Sequence, residues 1–280
     1  MNRKKLYLIV TLSVFFSFSY SQDEAEIKKI RFGLDLGINL PNKQFSKFLN
    51  GNHPFGVTRI LNNTIIRQQI ETKLRYPIKS WEFSENTSYN PTIYAGLYTG
   101  FDFKPNWSAI MKVNVSVLRF STPFVIALDN PQNFTGEFEQ ATVTAREQRF
   151  GFELGVQKTF DLEHNLSMYV AGGGSFNYIQ LEKQELIIAG TNYNITRIQN
   201  PQSLVIQQID GFGYGVFLET GVSYLLNEKF TISFGVQGSL QSNKEYVEEL
   251  TEGSTYRKDD IDKAMGYLPS FNSYLRLIWN

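Results

Sequence analysis

Residues Arg31–Leu40 alternate without a break: Phe32, Leu34, Leu36, Ile38 and Leu40 fall on one face, Arg31, Gly33, Asp35, Gly37 and Asn39 on the other. A two-residue period marks a half-buried strand, because successive Cβ atoms of an extended chain point to opposite faces. Comparable runs occupy 91–103, 107–119, 147–160, 166–181, 211–226, 229–241 and 268–279. Their apolar faces include Ile93, Ala95, Leu97, then Met111, Val113, Val115, then Phe150, Phe152, Leu154, Val156, then Val216, Leu218, Val222, then Ile232, Phe234, Val236, and finally Leu275 and Leu277. The run 166–181 is the least regular, through Ala171-Gly172-Gly173-Gly174. The abundance of 23 Phe, 15 Tyr and 21 Gly agrees with a β-rich chain.

The connections fall into two kinds. Lys104-Pro105-Asn106, Asp161–Asn165 and Asn227-Glu228 are turn sequences short enough for hairpins. The alternate connections, 41–90, 120–146, 182–210 and 242–267, are long and rich in Asn, Gln, Thr and Ser. An up-and-down antiparallel barrel with an even strand number puts all short turns on one rim and all long loops on the other, as membrane-spanning barrels do. The predicted fold class is therefore all-β: a single transmembrane β-barrel of about eight strands, with short periplasmic turns and long extracellular loops. Within those loops, Glu185–Ala189 and Thr58–Leu61 look strand-like and extend the hairpins.

Alternation does not say which face points inward, and a soluble lipocalin-like barrel has the same period with its apolar face inside. Two features favour lipid outside. The polar face is mostly Gly, Ser, Thr and Asn, with four cations, Arg31, Lys112, Arg149 and Arg276, balanced by four carboxylates, Asp35, Asp102, Glu153 and Glu219. An eight-stranded interior is just wide enough for side chains to fill, so these charges are expected to pair and plug the lumen. The second feature is a cluster of aromatics at strand ends beside the short turns, Phe101, Phe103, Trp107, Phe160, Tyr224, Phe230 and Trp279, expected to form a periplasmic-side interfacial girdle. Phe120, Phe124, Tyr178, Phe212 and Phe271 are the candidates for the opposite girdle.

The first residues read as an address. Arg3, Lys4 and Lys5 precede the apolar stretch Leu6–Tyr20, and Ser19-Tyr20-Ser21 supplies small residues for cleavage before Gln22. That stretch rises only about 22 Å as a helix, short of a hydrocarbon core of about 30 Å. Residues 1–21 are thus read as a signal peptide and 22–280 as one barrel domain. Cleavage removes three of the 27 basic residues and none of the 27 acidic ones, leaving a formal −3 and no nucleic-acid footprint.

The opening Phe32-Gly33-x-x-x-Gly37-x-Asn39 and the closing Tyr274-x-Arg276-x-Ile278-Trp279 resemble PorT-like outer-membrane β-barrel proteins, within the eight-stranded architecture of OmpA and OmpX. The resemblance implies the outer membrane as location, outer-membrane lipid and the barrel assembly machinery as partners, and an extracellular or secretion-system protein partner. The aromatic Trp279 resembles the terminal signal read by that machinery, although here it is penultimate.

Catalytic chemistry has little to draw on. Cysteine is absent, and His53 and His164 are the only histidines. His164 lies in a turn that Asp161 and Asn165 already explain, and no spacing ties His53 to a nucleophile. No cofactor pattern or metal-ligand set stands out, since Asp259-Asp260-x-Asp262 lacks the form of a calcium loop, and Gly172-Gly173-Gly174 lacks the Lys-Ser/Thr of a phosphate loop. No enzymatic activity is expected. A structural or binding barrel leads, ahead of a small-solute channel, with a surface enzyme or a soluble ligand-binding barrel behind.

Overall fold

The computed structural model describes residues 29–42, 57–83, 90–130, 132, 137–194, 209–243 and 267–280. The expected signal peptide, His53 and the Asp259–Asp262 segment lie outside them. The strands are β1 (Ile30–Leu40), β2 (Ile78–Phe83), β3 (Thr92–Lys104), β4 (Trp107–Leu128), β5 (Glu137–Asp161), β6 (Leu166–Ile188), β7 (Thr191–Asn194), β8 (Ile209–Asn227), β9 (Phe230–Ser242) and β10 (Tyr267–Trp279). Among the described residues two helices precede β2, α1 (Val57–Asn62) and α2 (Thr64–Leu74).

Eight of these strands close into a ring. In order they are β1, β3, β4, β5, β6, β8, β9 and β10, each antiparallel to its neighbours, and β10 returns to β1 from Phe32 opposite Trp279 to Leu40 opposite Phe271. Closure leaves no strand edge in the wall, which matters where no water is present to satisfy backbone groups. The short turns use residues that tolerate or stabilise tight geometry. Asn106 has φ 61° and Asn165 φ 63°, and Asn227 Oδ1 accepts from the Lys229 and Phe230 amides at 2.9 and 3.0 Å. His164 shares the second turn, with φ 59°, as a turn residue. Gly173 sits opposite Gly155, where an added Cβ would collide with the Leu154 carbonyl. The glycine run is therefore ordinary strand with close backbone approach.

Three strands run well beyond the predicted ends: β4 continues to Leu128, β5 begins at Glu137 and β6 reaches Ile188. Together with β2 on β4 and β7 on β6 they form a smaller sheet projecting from the long-loop rim. The expected loop 120–146 is thus mostly hairpin, and Glu185–Ile188 is strand as expected, while Ala189 begins the turn into β7. Thr58–Leu61, expected as strand, is helix instead. Local β-branching suggests a strand there, but Val57, Ile60 and Leu61 fall at helical spacing and all three are buried against the sheet, which selects the helix. Asn63 caps α2, its Oδ1 accepting from the Ile66 amide at 3.1 Å.

This projection has an apolar core. Leu118, Phe120, Phe124 and Ile126 of β4, Val143 of β5, and Leu186 and Ile188 of β6 are buried against Val57, Ile60, Leu61 and Ile70 of the helices. Each such residue contributes about 1.5–3 kcal/mol on burial. A bulge keeps β6 in phase: Arg146 pairs with Lys183 but Glu147 with Leu181, leaving Glu182 as the extra residue. Arg67 and Glu71 then tie α2 to β2. The Arg67 guanidinium donates to Glu71 at 2.8 Å and to the Ile78 carbonyl, and Glu71 accepts from the Ile78 amide at 2.9 Å.

Candidate functional site

Between the two rims the wall faces apolar residues outward and polar ones inward. Leu36, Ile93, Leu97, Leu218, Phe234 and Leu275 are all at least half exposed on the outside, while Asp35, Lys112, Glu153, Glu219 and Arg276 are buried within. A continuous exposed apolar wall of this extent marks a lipid-facing surface rather than a soluble exterior. This overturns the lipocalin-like arrangement, in which the apolar face points inward. On β4 the climb from Trp107 to Val117, at about 3.3 Å per residue and a tilt of about 40°, spans roughly 25 Å, the height of such a band.

The lower edge of the band carries the predicted aromatics. Phe103, Trp107, Phe160, Tyr224 and Trp279 are exposed, and Phe101 and Phe230 partly so. Phe230 and Trp279 make an edge contact at 6.1 Å between ring centroids. The Lys158 ammonium lies 5.2 Å from the rings of both Trp107 and Phe160, a cation–π contact suited to the headgroup level. The upper edge differs from expectation. Phe120 and Phe124 point inward into the core of the projection, because even-numbered residues of β4 face inward throughout. Tyr178, Phe212 and Phe271 do stand on the upper edge, joined there by Phe150: Tyr178 makes tilted ring contacts with Phe150 at 6.2 Å and with Phe212 at 5.3 Å, and Tyr214 and Tyr267 continue the exposed belt.

Inside, the eight predicted charges separate into three layers. Nearest the short turns, Arg31 donates to Asp102 at 2.6 Å and to Ser108 at 2.8 Å, and Ser108 donates to Asp102 at 2.5 Å. These residues line a vestibule of about 1010 Å³.

The vestibule ends at the middle layer, centred on Arg276. Its guanidinium donates to both Asp35 oxygens, at 2.6 and 2.9 Å, and to Glu219 at 3.2 Å. The Tyr98 and Tyr274 rings flank it, with centroids 4.0 and 4.6 Å from Cζ. Lys112 continues the network to Glu153 at 2.6 Å, to Glu219, and to Gln237 at 3.1 Å. Gln237 donates onward to Glu153 at 2.8 Å, and the Phe217 ring lies 4.3 Å from the Lys112 ammonium. The Tyr274 hydroxyl donates to Glu219 and bonds the Tyr169 hydroxyl at 2.7 Å. Space for these rings comes from facing glycines: a Cβ on Gly221 would strike Tyr169, and one on Gly235 would strike both Tyr169 and Tyr274. Charges buried this deeply persist because each has partners at hydrogen-bond distance.

In the upper layer, Arg149 pairs with Glu147. Glu147 was not among the predicted lumen charges, and neither were Tyr98, Tyr169, Tyr274 and Phe217. Each lies on the polar-face parity of its strand, which is the signal that identifies them.

No protein-family model matches the sequence, and no curated protein matches it. Among solved structures, the chain is similar to Neisserial surface protein A, at TM-score 0.37 and 10% identity over 89% of this chain and 96% of that one. It is similar to the outer-membrane protein OprG of Pseudomonas aeruginosa, at 0.34 and 10% over 90% and 96%. It is also similar to Ail, the attachment invasion locus protein of Yersinia pestis, at 0.34 and 7% over 89% and 97%.

Proposed function

We propose that this chain is an integral outer-membrane protein whose lumen is closed and whose projecting sheet and helices form a non-catalytic binding platform outside the membrane. The observation that carries this reading is the coincidence of two cores. A polar plug around Arg276 closes the barrel where it crosses lipid, and a larger apolar core assembles above the upper aromatic belt. A barrel serving transport has no use for the plug, and a barrel serving only as an anchor has no use for the folded projection.

The apolar exterior and two aromatic edges support the outer membrane as location, with its lipid as first partner and assembly by the barrel machinery acting on β10. The resemblance of the first and last strands to PorT-like proteins favours protein secretion to the surface as the process, with a secretion-system or extracellular protein as the platform's partner. Planar-bilayer recording tests the central claim. The folded protein should insert without a sustained conductance, whereas a steady open level would restore the small-solute channel and refute the platform.

A further inference from the structure

Cross-strand registry places Arg119 of β4 opposite Arg146 of β5, and Arg146 opposite Lys183 of β6. Residues so paired have Cβ atoms about 5 Å apart, and like charges in that relation destabilise a sheet. All three side chains are exposed on the outer surface. Two carboxylates partly offset them, Glu182 at 2.6 Å from Arg146 and Glu185 at 2.7 Å from Lys183. Among the described residues Arg119 makes no ion pair, and across the sheet it faces Arg146.

The row has a fixed place relative to the membrane band. The next outward layer toward the membrane on these strands is Val117, Gln148 and Gln180, and beneath it lie Val115 and two members of the aromatic belt, Phe150 and Tyr178. From lipid to water the wall therefore offers aromatic faces, then two carboxamides, then cations. This sequence is complementary to an amphiphile with acyl chains, a hydroxyl- or amide-bearing backbone and a phosphate. Guanidinium pairs favour phosphate because their donors match its oxygens.

We propose that the outer wall of β4, β5 and β6 docks the phosphate-bearing headgroup of an outer-leaflet lipid, with the phosphate between Arg119 and Arg146. The proposal rests on the membrane reading above. A soluble anion would use only the cation row and would leave the carboxamide and aromatic layers without a role.

The test uses the full protein purified in detergent, with the band shift on boiling as the measure of folding. Native mass spectrometry then reads retention of lipid A carrying its phosphates against the dephosphorylated form. Retention of the phosphorylated lipid should exceed that of the other, and R119Q/R146Q should weaken it about tenfold while keeping the boiling shift. E182Q, which removes a competing carboxylate, should strengthen it. Equal retention by R119Q/R146Q, equal retention of the dephosphorylated lipid, or displacement by equimolar inorganic pyrophosphate would overturn the lipid site while leaving the membrane reading intact. A wild-type protein that stays soluble without detergent and shows no boiling shift would overturn the membrane reading and the site together.

Discussion

Removing the Arg276 guanidinium should unbalance the middle of the barrel in a way that a second substitution repairs. The connected cluster holds Asp35, Glu153 and Glu219 against Lys112 and Arg276, so its formal charge is −1 with every member buried. R276M takes it to −2 and strands Asp35, whose two oxygens both bind Arg276, while Glu219 keeps Lys112. Breaking a buried pair by deleting one partner costs about 3–5 kcal/mol. D35N takes the cluster to zero and leaves Arg276 with Glu219, so its loss should be nearer that of one hydrogen bond to a charged group, about 1.5–3 kcal/mol. In D35N/R276M no carboxylate is stranded, and the double variant should lose less than the sum of the singles by about 1–3 kcal/mol. Urea unfolding in phospholipid vesicles, followed by tryptophan fluorescence and checked by the band shift on boiling, measures all three. A strictly additive double variant, or an R276M within about 1 kcal/mol of wild type, would refute the claim that the charges form one interdependent plug.

Other substitutions separate the barrel from its projection. F124A should cost about 3–5 kcal/mol in the core above the rim and open the projection to limited proteolysis without abolishing the boiling shift. G173A should disrupt folding because its Cβ meets the Leu154 carbonyl, whereas G238A should be tolerated because nothing lies within 4 Å of the added carbon; the folded fraction on unboiled gels compares the two. The α2–β2 tie should be acid-sensitive, since the hydrogen bond from Arg67 holds the Glu71 carboxyl below its usual value of 4.5. A lowered folded pKa stabilises above the unfolded value and is lost as pH falls through the folded one, so exchange protection of the Ile78 amide should drop below about pH 4.5 in wild type and show no such step in E71Q.

Much of the wall was legible because a strand writes its two faces into the chain at every second residue. The runs at 31–40 and 107–119 announced which side chains share a face, and turns such as Pro105-Asn106 announced where the chain reverses. The projection was harder to read. Phe120 and Phe124 look like upper-belt aromatics in sequence, yet the parity that turns Lys112 inward also turns them inward. Packing of α1 and α2 against it makes that inward face dry. Thr58–Leu61 has the local composition of a strand, and its helix is selected by the sheet it covers.

The sequence by itself determined the strand period, the short and long ends, and the membership of each face, because these follow from backbone geometry over a few residues. Tertiary structure decided which face the barrel encloses, and that polar side chains fill the lumen at Lys112 while apolar ones fill the interior at Phe124. It also decided that Arg276 meets Asp35, 241 positions away. Alternation is unchanged when a sheet is turned inside out, so only closure of the ring, with lipid around one part and helices inside the other, fixes what each face contacts.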